Sequence, residues 1–322
     1  MEITVIIPVY NRATPVRRTL ESVRRQSHRP IRLILVDNNS TDGTLDVLRR
    51  FKQEYSTESF TVIVDEESTP GAAAARNKGL QAARTEWVMF FDSDDEMHPD
   101  LLRSYADAIA RHPEAGLIYT DAIIRYGQEL ECRRISPAGN IIYKNIFHTY
   151  LATQRYIVRR DLLLSAGGWN DRLGGWNDWE LSLRLLMSDP VTVKMGTKEP
   201  LVYINVHPDS ITGNRFSDKP HLWEAALDAA KKDIAASGRS DARLLLRCVK
   251  YKQAVLAGDY SREGSPEGAR LYRKTLEETR HDKLLNAICR IGYRLVSRGI
   301  RGTARIALPL FRITGSTAKT GC

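Results

Sequence analysis

The sequence predicts an α/β fold in which helices cover a mixed, mainly parallel sheet, with a helical region at the C-terminal end. Up to about residue 92, short apolar segments alternate with longer segments that begin at helix caps. Polar or acidic residues follow the apolar segments directly, and after residue 217 only helical segments follow. Such alternation is typical of a parallel sheet whose connecting helices cover its faces.

The predicted strands are short apolar runs bounded by polar residues, and they are too short for helices. They are residues 3–8, 31–37, 60–65, 87–92, 116–120, 191–198 and 201–206. The helices begin at caps, such as Pro15 in the first turn of one helix and Ser40 to Asp42 before the next. They are residues 14–27, 39–55, 71–83, 99–112, 220–236, 241–257 and 266–280. The polar passage that ends near residue 150 carries turn residues and predicts no regular element.

Length and composition indicate a soluble globular protein with one large domain, residues 1–217, and a smaller region, residues 218–322. The four cysteines are scattered without C-x-x-C spacing, so we expect neither disulfides nor zinc, and a reducing compartment. No secretion signal and no apolar run of membrane-spanning length is visible. We therefore expect a cytoplasmic protein.

The net charge of +9 belongs to the C-terminal region. From residue 219 onward there are 21 Lys and Arg against 10 Asp and Glu, and the last 40 residues carry eight basic and no acidic side chains. This pattern suits an anionic lipid surface or another polyanion. We expect no nucleic-acid partner.

An acidic cluster follows the predicted strand that ends at Phe91. Asp92, Asp94, Asp95 and Glu96 occupy four of five positions, and such crowding favours a bound cation. Carboxylates without thiols or imidazoles suit Mg²⁺ or Mn²⁺. An acidic turn that caps the following helix is the alternative interpretation.

Four segments carry a specific resemblance. They read IIPVYNR at residues 6–12, VDNNSTDGT at 36–44, GAAAARNKG at 71–79 and FDSDD at 91–95. In this order they resemble the family 2 glycosyltransferases, whose nucleotide-sugar-binding domain has a GT-A-type fold, and the resemblance covers about residues 1–215. It implies a nucleotide-sugar donor, with a UDP-sugar expected, and a divalent metal, Mg²⁺ or Mn²⁺.

The resemblance also implies site residues. The implied donor-binding residues are Pro8, Val9, Tyr10, Arg12, Asp37, Asn39, Arg76, Asp92, Ser93 and Asp94. Asp37 is expected to accept a hydrogen bond from a pyrimidine ring, whereas Asn38 departs from the aspartate that is frequent in the family, which leaves the base less certain. Arg76 lies near a helix N-terminus and could add a positive charge to an anion site. Asp94 is expected to hold the metal together with His207.

A loop rich in glycine and tryptophan supplies the second set of candidates. Residues 174–184, GGWNDWELSLR, resemble the family's Glu-Asp-Trp base segment, with Asn177 in place of the glutamate. The resemblance makes Asp178 the catalytic base. Trp176, Trp179 and Glu180 are expected on the acceptor side. Because Asp178 and Glu180 are two positions apart on a helix, only one of them should face the donor.

The resemblance implies an inverting transfer to a hydroxyl of a glycan or lipid-linked acceptor, in bacterial-type cell-surface glycan assembly. An NAD-dependent oxidoreductase would show a similar alternation of strands and helices, but residues 9–12, VYNR, stand where it would carry G-x-G-x-x-G. A non-catalytic carbohydrate- or nucleotide-binding scaffold with a degenerate glycosyltransferase fold remains an alternative.

The C-terminal region contains a predicted amphipathic helix within residues 283–312. Its apolar positions are Leu284, Ile288, Ile291 and Leu295, and its basic positions are Arg290, Arg294, Arg298, Arg301 and Arg305. Such a helix can lie on an anionic bilayer, which would attach the protein to the inner face of the plasma membrane. Docking of the apolar stripe on the catalytic domain is the alternative.

Overall fold

The computed structural model describes residues 1–137, 139–206, 215–300 and 302–303. The chain forms two compact units, Met1–Gly139 with Tyr150–Pro208, and Asn140–Thr149 with Asp209–Cys322. The predicted division of the chain at residue 217 stays a prediction.

The first unit is built on a seven-stranded sheet. Its strands are β1 Ile3–Val9, β2 Ile31–Asp37, β3 Phe60–Glu66, β4 Trp87–Phe90, β6 Leu117–Tyr119, β9 Tyr156–Arg159 and β10 Thr192–Lys194. They lie in the order β10-β6-β9-β4-β1-β2-β3, and β9 runs antiparallel to both of its neighbours while the other pairs are parallel. The predicted mixed, mainly parallel sheet is confirmed.

Helices flank this sheet. They are α1 Val16–Arg24, α2 Thr44–Tyr55, α3 Ala72–Ala82, α4 Leu101–Arg111, α6 Arg160–Ser165 and α7 Asn177–Met187. Helix α3 packs closely on β1, because a Cβ atom at Gly79 would lie only 2.4 Å from Cγ2 of Ile6. The alanines of α3 and this glycine therefore allow the helix to approach the sheet, which brings its first turns to the ends of the strands.

A second, four-stranded sheet has the order β5-β11-β7-β8. Its strands are β5 Glu96–Met97, β7 Ala122–Tyr126, β8 Glu129–Arg133 and β11 Val202–Val206. The hairpin β7–β8 lies in the passage for which no regular element was predicted. Strand β8, ELECR, alternates Leu130 and Cys132 with charged residues, which is a strand pattern that the prediction missed, although all five residues are exposed.

The second unit is helical in its described part. Its helices are α5 Ile141–His148, α8 Pro220–Ala236, α9 Ala242–Arg262, α10 Glu267–Glu278 and α11 Lys283–Ser297. Helices α5, α8, α10 and α11 all contact α9. Gly292 of α11 lies against Tyr251 of α9, where an added Cβ would come within 2.6 Å of the ring, so the glycine serves close helix packing. Among the described helices, none has the length and apolar character needed to cross a membrane.

Helix α11 buries a different face from the predicted stripe. Its buried residues are Leu285, Ile288, Cys289, Gly292 and Val296. Leu284 is 49% exposed and Ile291 is 56% exposed, whereas Ile288 is buried. The predicted apolar stripe is therefore divided between an inward face and an outward face. Arg301 and Arg305 lie outside the described residues.

Candidate active site

The carboxyl ends of the parallel strands meet along one edge of the large sheet. Val9 of β1 is in register with Asp37 of β2, and Asp37 with Glu66 of β3. Strand β4 pairs with β1 on the other side and leads into the acidic turn at Asp92. Ligands of open α/β sheets bind beyond these ends. The register thus brings the predicted donor-side residues to one edge.

The first two strands end in loops that hold each other. The backbone N–H of Asn11 donates to Ser40 Oγ at 3.0 Å, and the N–H of Thr41 donates to Asn11 Oδ1 at 2.8 Å. Asp37 is buried, and its Oδ2 accepts from the N–H of Ser40 at 3.0 Å. Its Oδ1 is also buried and finds no hydrogen-bond partner in the described part of the chain. A buried carboxylate oxygen without a donor is free to accept one from a ligand.

The predicted residues of the first loop differ in exposure. Pro8 and Val9 are buried within β1, and the carbonyl of Val9 accepts from the N–H of Asn38 at 2.8 Å. Tyr10 follows with its side chain 58% exposed. An exposed ring at the edge of the sheet can stack on a planar ligand.

Asn38 and Asn39 brace the loop between β3 and α3. The side-chain amide of Asn38 donates to the carbonyls of Glu67 and Thr69, both at 2.8 Å, while its Oδ1 accepts from the N–H of Gly71. Asn39 donates to the carbonyl of Ser68 at 2.8 Å. An aspartate at position 38 could not donate these hydrogen bonds. Asn38, which stands where the family frequently has aspartate, therefore holds the loop between β3 and α3 through hydrogen bonds that its amide donates.

Arg76 forms a buried ion pair at the centre of the site. Its Nη2 lies 2.6 Å from Asp92 Oδ1, and its guanidinium lies over the Trp169 ring, with Cζ 4.3 Å from the ring centroid. The arginine is 6% exposed, and its buried Nε finds no acceptor among the described residues. The pair fixes the position of the Arg76 guanidinium beside the acidic turn, with part of its positive charge compensated by Asp92.

Trp169 is held in place by reciprocal hydrogen bonds. Its N–H donates to Asn77 Oδ1 and its carbonyl accepts from Asn77 Nδ2, both at 2.8 Å. The preceding Gly168 has φ of +69°, and a Cβ there would come within 2.7 Å of Asn77 Oδ1. Phe90 meets the Trp169 ring edge-on at 5.1 Å. No role for Trp169 was predicted from the sequence, because its partner Asn77 lies about 90 residues away in the chain.

Gln154, which the sequence analysis missed, joins two carboxylates of the acidic cluster. Its Nε2 donates to Asp92 Oδ2 at 2.7 Å and also to Asp95 Oδ2. Asp95 is 1% exposed, and its Oδ1 accepts from the N–H of Asn205 at 2.8 Å. Burial, together with the charges of Asp92 and Asp94, raises the pKa of Asp95 well above the usual range of aspartate. Asp95 therefore stabilises the acidic turn through its hydrogen bonds with Gln154 and Asn205.

Replacing Gln154 with Leu is expected to lower the free energy of unfolding by about 1–3 kcal/mol, because two buried or half-buried carboxylates lose a donor. Urea denaturation measures it. Gln53→Leu, on the exposed face of α2, is the matched control. If the two variants were equally stable, Gln154 would not hold the turn together.

Asp94 is the carboxylate of the cluster that suits a metal. Asp94 Oδ2 lies 3.9 Å from Arg12 Nη2, and the Asp94 side chain is 25% exposed; Asp92, at 30%, accepts from Arg76 and Gln154. Ser93, between them, is half-buried. No three His, Cys, Asp or Glu side chains of the described residues could together hold a metal ion. His207, the other predicted ligand, lies outside those residues. Mg²⁺ commonly takes one or two carboxylates plus substrate phosphates, so Asp94 fits such an ion without a protein cage.

Asp178 stands in the first turn of α7, half-buried. Burial raises the pKa of its carboxyl, against the lowering effects of the Trp179 N–H, which donates to Oδ1 at 2.8 Å, and of the Arg76 charge. Asp92 adds a smaller raising effect. Asp178 thus lies within electrostatic reach of the Arg76–Asp92 pair, and a raised pKa suits a general base near neutral pH.

This shift has a consequence for the pH dependence of the reaction. A base acts when deprotonated, so kcat/KM should rise with pH as Asp178 loses its proton. Because burial raises this pKa, the acidic limb should lie above that of an exposed aspartate, whose pKa is about 3.9. The pH profile of nucleoside diphosphate release measures the limb. A limb at the pKa of an exposed aspartate would contradict the assignment.

Two of the three residues predicted on the acceptor side are buried. Trp179 is 0% exposed, and Glu180 is 1% exposed with its carboxylate bound by Arg184 at 2.6 and 2.8 Å. Trp176 is half-buried, and its ring centroid lies 5.7 Å from that of Trp179. Trp179 and Glu180 therefore pack in the interior, where an acceptor cannot contact them. Trp176 remains the predicted acceptor-side residue of the three.

The mainly parallel sheet, with helices on its faces and polar residues at the carboxyl ends of its strands, is similar to that of GT-A glycosyltransferases. S. aureus TarS 1-349 in complex with UDP-GlcNAc has this fold, with a TM-score of 0.66 at 18% identity over 94% of this chain and 92% of that one. Residues 4–158 match the sequence model of glycosyl transferase family 2. A PGL/p-HBAD biosynthesis glycosyltransferase of Mycobacterium tuberculosis is 30% identical over 59% of this chain and 71% of its own length. The chain belongs to glycosyl transferase family 2.

Two further proteins are similar to this chain. The mannosyltransferase PcManGT of Pyrobaculum calidifontis, solved with GDP-Man and Mn2+, has a TM-score of 0.52 at 18% identity, over 94% of this chain and 86% of that one. The Bacillus subtilis protein TuaG, named for teichuronic acid biosynthesis, is 43% identical over 31% of this chain and 38% of its own length.

Proposed function

We propose that this chain is an inverting, metal-dependent hexosyltransferase that moves a sugar from a UDP-sugar to a hydroxyl of a glycan or lipid-linked acceptor. Residues 1–217 would form the catalytic domain and residues 218–322 a basic helical region. The observation that carries the proposal is the position of Asp178: a carboxyl with a raised pKa lies within reach of the Arg76–Asp92 pair. Such a transfer requires a base for the acceptor hydroxyl, and it also requires groups that stabilise the departing diphosphate.

In the proposed reaction, Asp178 takes the proton of the acceptor hydroxyl while the hydroxyl oxygen attacks the anomeric carbon of the donor sugar. The bond between that carbon and the diphosphate oxygen breaks, and the diphosphate leaves with the electron pair, so the configuration inverts. The buried Asp37 Oδ1 accepts a hydrogen bond from an N–H of the uracil ring, and the Tyr10 side chain packs on that ring. Arg76 holds a negative charge of the departing group, and its fixed position requires no rearrangement during the step.

Asp94, with His207, would hold Mg²⁺ or Mn²⁺ at the diphosphate. When bound, the ion neutralises charge on the leaving group. The complex of PcManGT with GDP-Man and Mn2+ supports the metal requirement, and the complex of TarS with UDP-GlcNAc supports a UDP-sugar. The names of the PGL/p-HBAD and teichuronic acid relatives support a role in bacterial cell-surface glycan assembly.

A thermal-shift screen tests this function. UDP and GDP, and their sugar conjugates, are added to the full chain with Mn²⁺ or with EDTA. We expect UDP with Mn²⁺ to stabilise the protein most, because the proposed site accepts a hydrogen bond from uracil at Asp37 and holds the metal at Asp94. A ligand at a hundred times its Kd adds about 2.7 kcal/mol to the free energy of unfolding. If no nucleotide stabilises the chain in either condition, the proposed function is wrong.

We also propose that the protein lies on the cytoplasmic face of the plasma membrane and attaches to it through α11. Leu284 and Ile291 are exposed on this helix, beside the exposed Arg290 and Arg294. A cavity of about 510 Å³ between α10 and α11 is lined by four basic residues, Arg273, Arg280, Lys283 and Arg290. Apolar side chains beside basic ones are what an interfacial helix presents to anionic lipid.

Co-sedimentation with anionic liposomes checks this attachment. Arg290→Ala/Arg294→Ala should reduce the bound fraction most at low salt, where the attraction to anionic lipid is least screened, and Leu284→Ser/Ile291→Ser should reduce it at both low and high salt. Leu164→Ser, which changes an exposed leucine of the other unit, is the control. Wild-type protein that stays in the supernatant at low salt would rule out membrane attachment.

A further inference from the structure

A second cavity lies in the first unit, apart from the residues assigned to the donor. It has a volume of about 550 Å³ and lies between α1 and the four-stranded sheet. One wall is the face of α1 that carries Arg17, Arg18 and Arg25, and the other carries Arg125 of β7 and Tyr203 of β11. We call this cavity the arginine groove. Four of its lining residues are arginines, while its acidic residues are two glutamates.

The charges of the groove are only partly neutralised. Arg25 pairs with Glu21 at 2.5 Å, and Arg125 pairs with Glu96 at 2.7 Å. Arg17 and Arg18 are exposed, and the described part of the chain offers neither an ion-pair partner. Two guanidiniums therefore remain available to an anion from solution, and guanidinium groups bind carboxylate and phosphate in a forked geometry.

Arg125 is the most fixed of these groups. Its guanidinium lies over the Tyr203 ring, with Cζ 4.2 Å from the ring centroid, while Nη1 donates to Glu96. Arg125 and Tyr203 thus form a fixed wall of the groove, opposite the arginines of α1.

The spacing of the arginines indicates a ligand with more than one charge. Arg17 lies in the first turn of α1 and Arg25 directly follows its last residue, so the two backbones are about 12 Å apart along the helix axis. A chain with anionic groups along its length can contact them in succession.

The groove adjoins the candidate active site. Glu96, in its wall, directly follows Asp95 of the acidic turn, and Thr19 of α1 donates to the carbonyl of Asp95 at 2.7 Å. Helix α1 begins four residues after Arg12, which approaches Asp94. The wall of the groove therefore continues into the acidic turn at Glu96.

We propose that the arginine groove binds the acceptor and that this acceptor is an anionic glycan, with phosphate or carboxylate groups along its chain. The proposal rests on the proposed function, because it names the substrate class of that reaction. Arg17 and Arg18 contact the anionic groups, and Arg125 with Tyr203 forms the opposite wall.

Calorimetric titration of the full chain with two probes tests the proposal. Oligogalacturonate supplies carboxylates and linear polyphosphate supplies phosphates, both with EDTA present so that a metal-bound diphosphate site does not contribute. Arg17→Ala/Arg18→Ala should weaken binding of the preferred probe at least about tenfold, which corresponds to about 1.4 kcal/mol. Arg50→Ala/Arg84→Ala removes the same charge from exposed arginines outside the groove and should leave the affinity within about twofold of the wild type.

The preferred probe identifies the anionic group of the acceptor. Equal losses in the two double variants would show binding to overall positive charge and would overturn the proposal, as would a wild-type chain that binds neither probe. Titration of the same wild-type sample with UDP and Mn²⁺ separates the two hypotheses. If UDP binds but the probes do not, the groove proposal is wrong and the proposed function stands.

Discussion

Asp178→Asn is expected to lower turnover at least about 10²-fold while the affinity for UDP and Mn²⁺ is retained. Asparagine has nearly the shape of aspartate but cannot take the acceptor proton. The carboxyl is half-buried, with a pKa raised by burial, so the substitution also removes a group that is costly to keep charged. Release of nucleoside diphosphate from a nucleotide sugar measures turnover, and calorimetry measures affinity.

Asp171→Asn is the matched control, because Asp171 is exposed in the loop that precedes α7. It should keep wild-type turnover. Glu180→Gln tests the rival carboxylate: since Glu180 is bound by Arg184 in the interior, we expect it to lose stability rather than only turnover. A fully active Asp178→Asn would mean that the base lies elsewhere.

Asp94→Asn is expected to abolish the gain in UDP affinity that Mn²⁺ provides. The amide is a weaker ligand for a hard cation than a carboxylate. The fold should persist, since the change removes one charge from a group of neighbouring acids that raise the pKa of Asp95. Titration with UDP, in Mn²⁺ and in EDTA, measures the gain for each variant.

Asp46→Asn, on the exposed face of α2, is the control and should keep the full metal effect. The metal assignment fails if Asp94→Asn retains that effect as well.

Local patterns in the sequence predicted most of the large sheet. Strand β2 has the predicted bounds, 31–37, and helix α8 has the predicted bounds, 220–236. The order of strands and helices also predicted that Asp37 and Asp92 would end strands on one edge, because parallel strands share a direction. These features depend on apolar runs and caps within a few residues, which a single sequence displays.

The residues that hold the site residues in place could not be predicted from local sequence patterns. Gln154 contacts acids about 60 residues before it, and the stack of Arg76 on Trp169 joins segments about 90 residues apart. A lone glutamine in a sequence carries no sign of such a contact. The burial of Trp179 and Glu180 depends on which side of α7 packs inward. The motif that suggested their role does not indicate which side that is.

The crystal structure of the chain with UDP and Mn²⁺ tests the central claim most directly. The account predicts a base N–H within hydrogen-bonding distance of Asp37 Oδ1, the diphosphate near Arg76, and Mn²⁺ bound by Asp94. A nucleotide bound away from the carboxyl ends of β1 and β2, or a metal without Asp94 among its ligands, would contradict it.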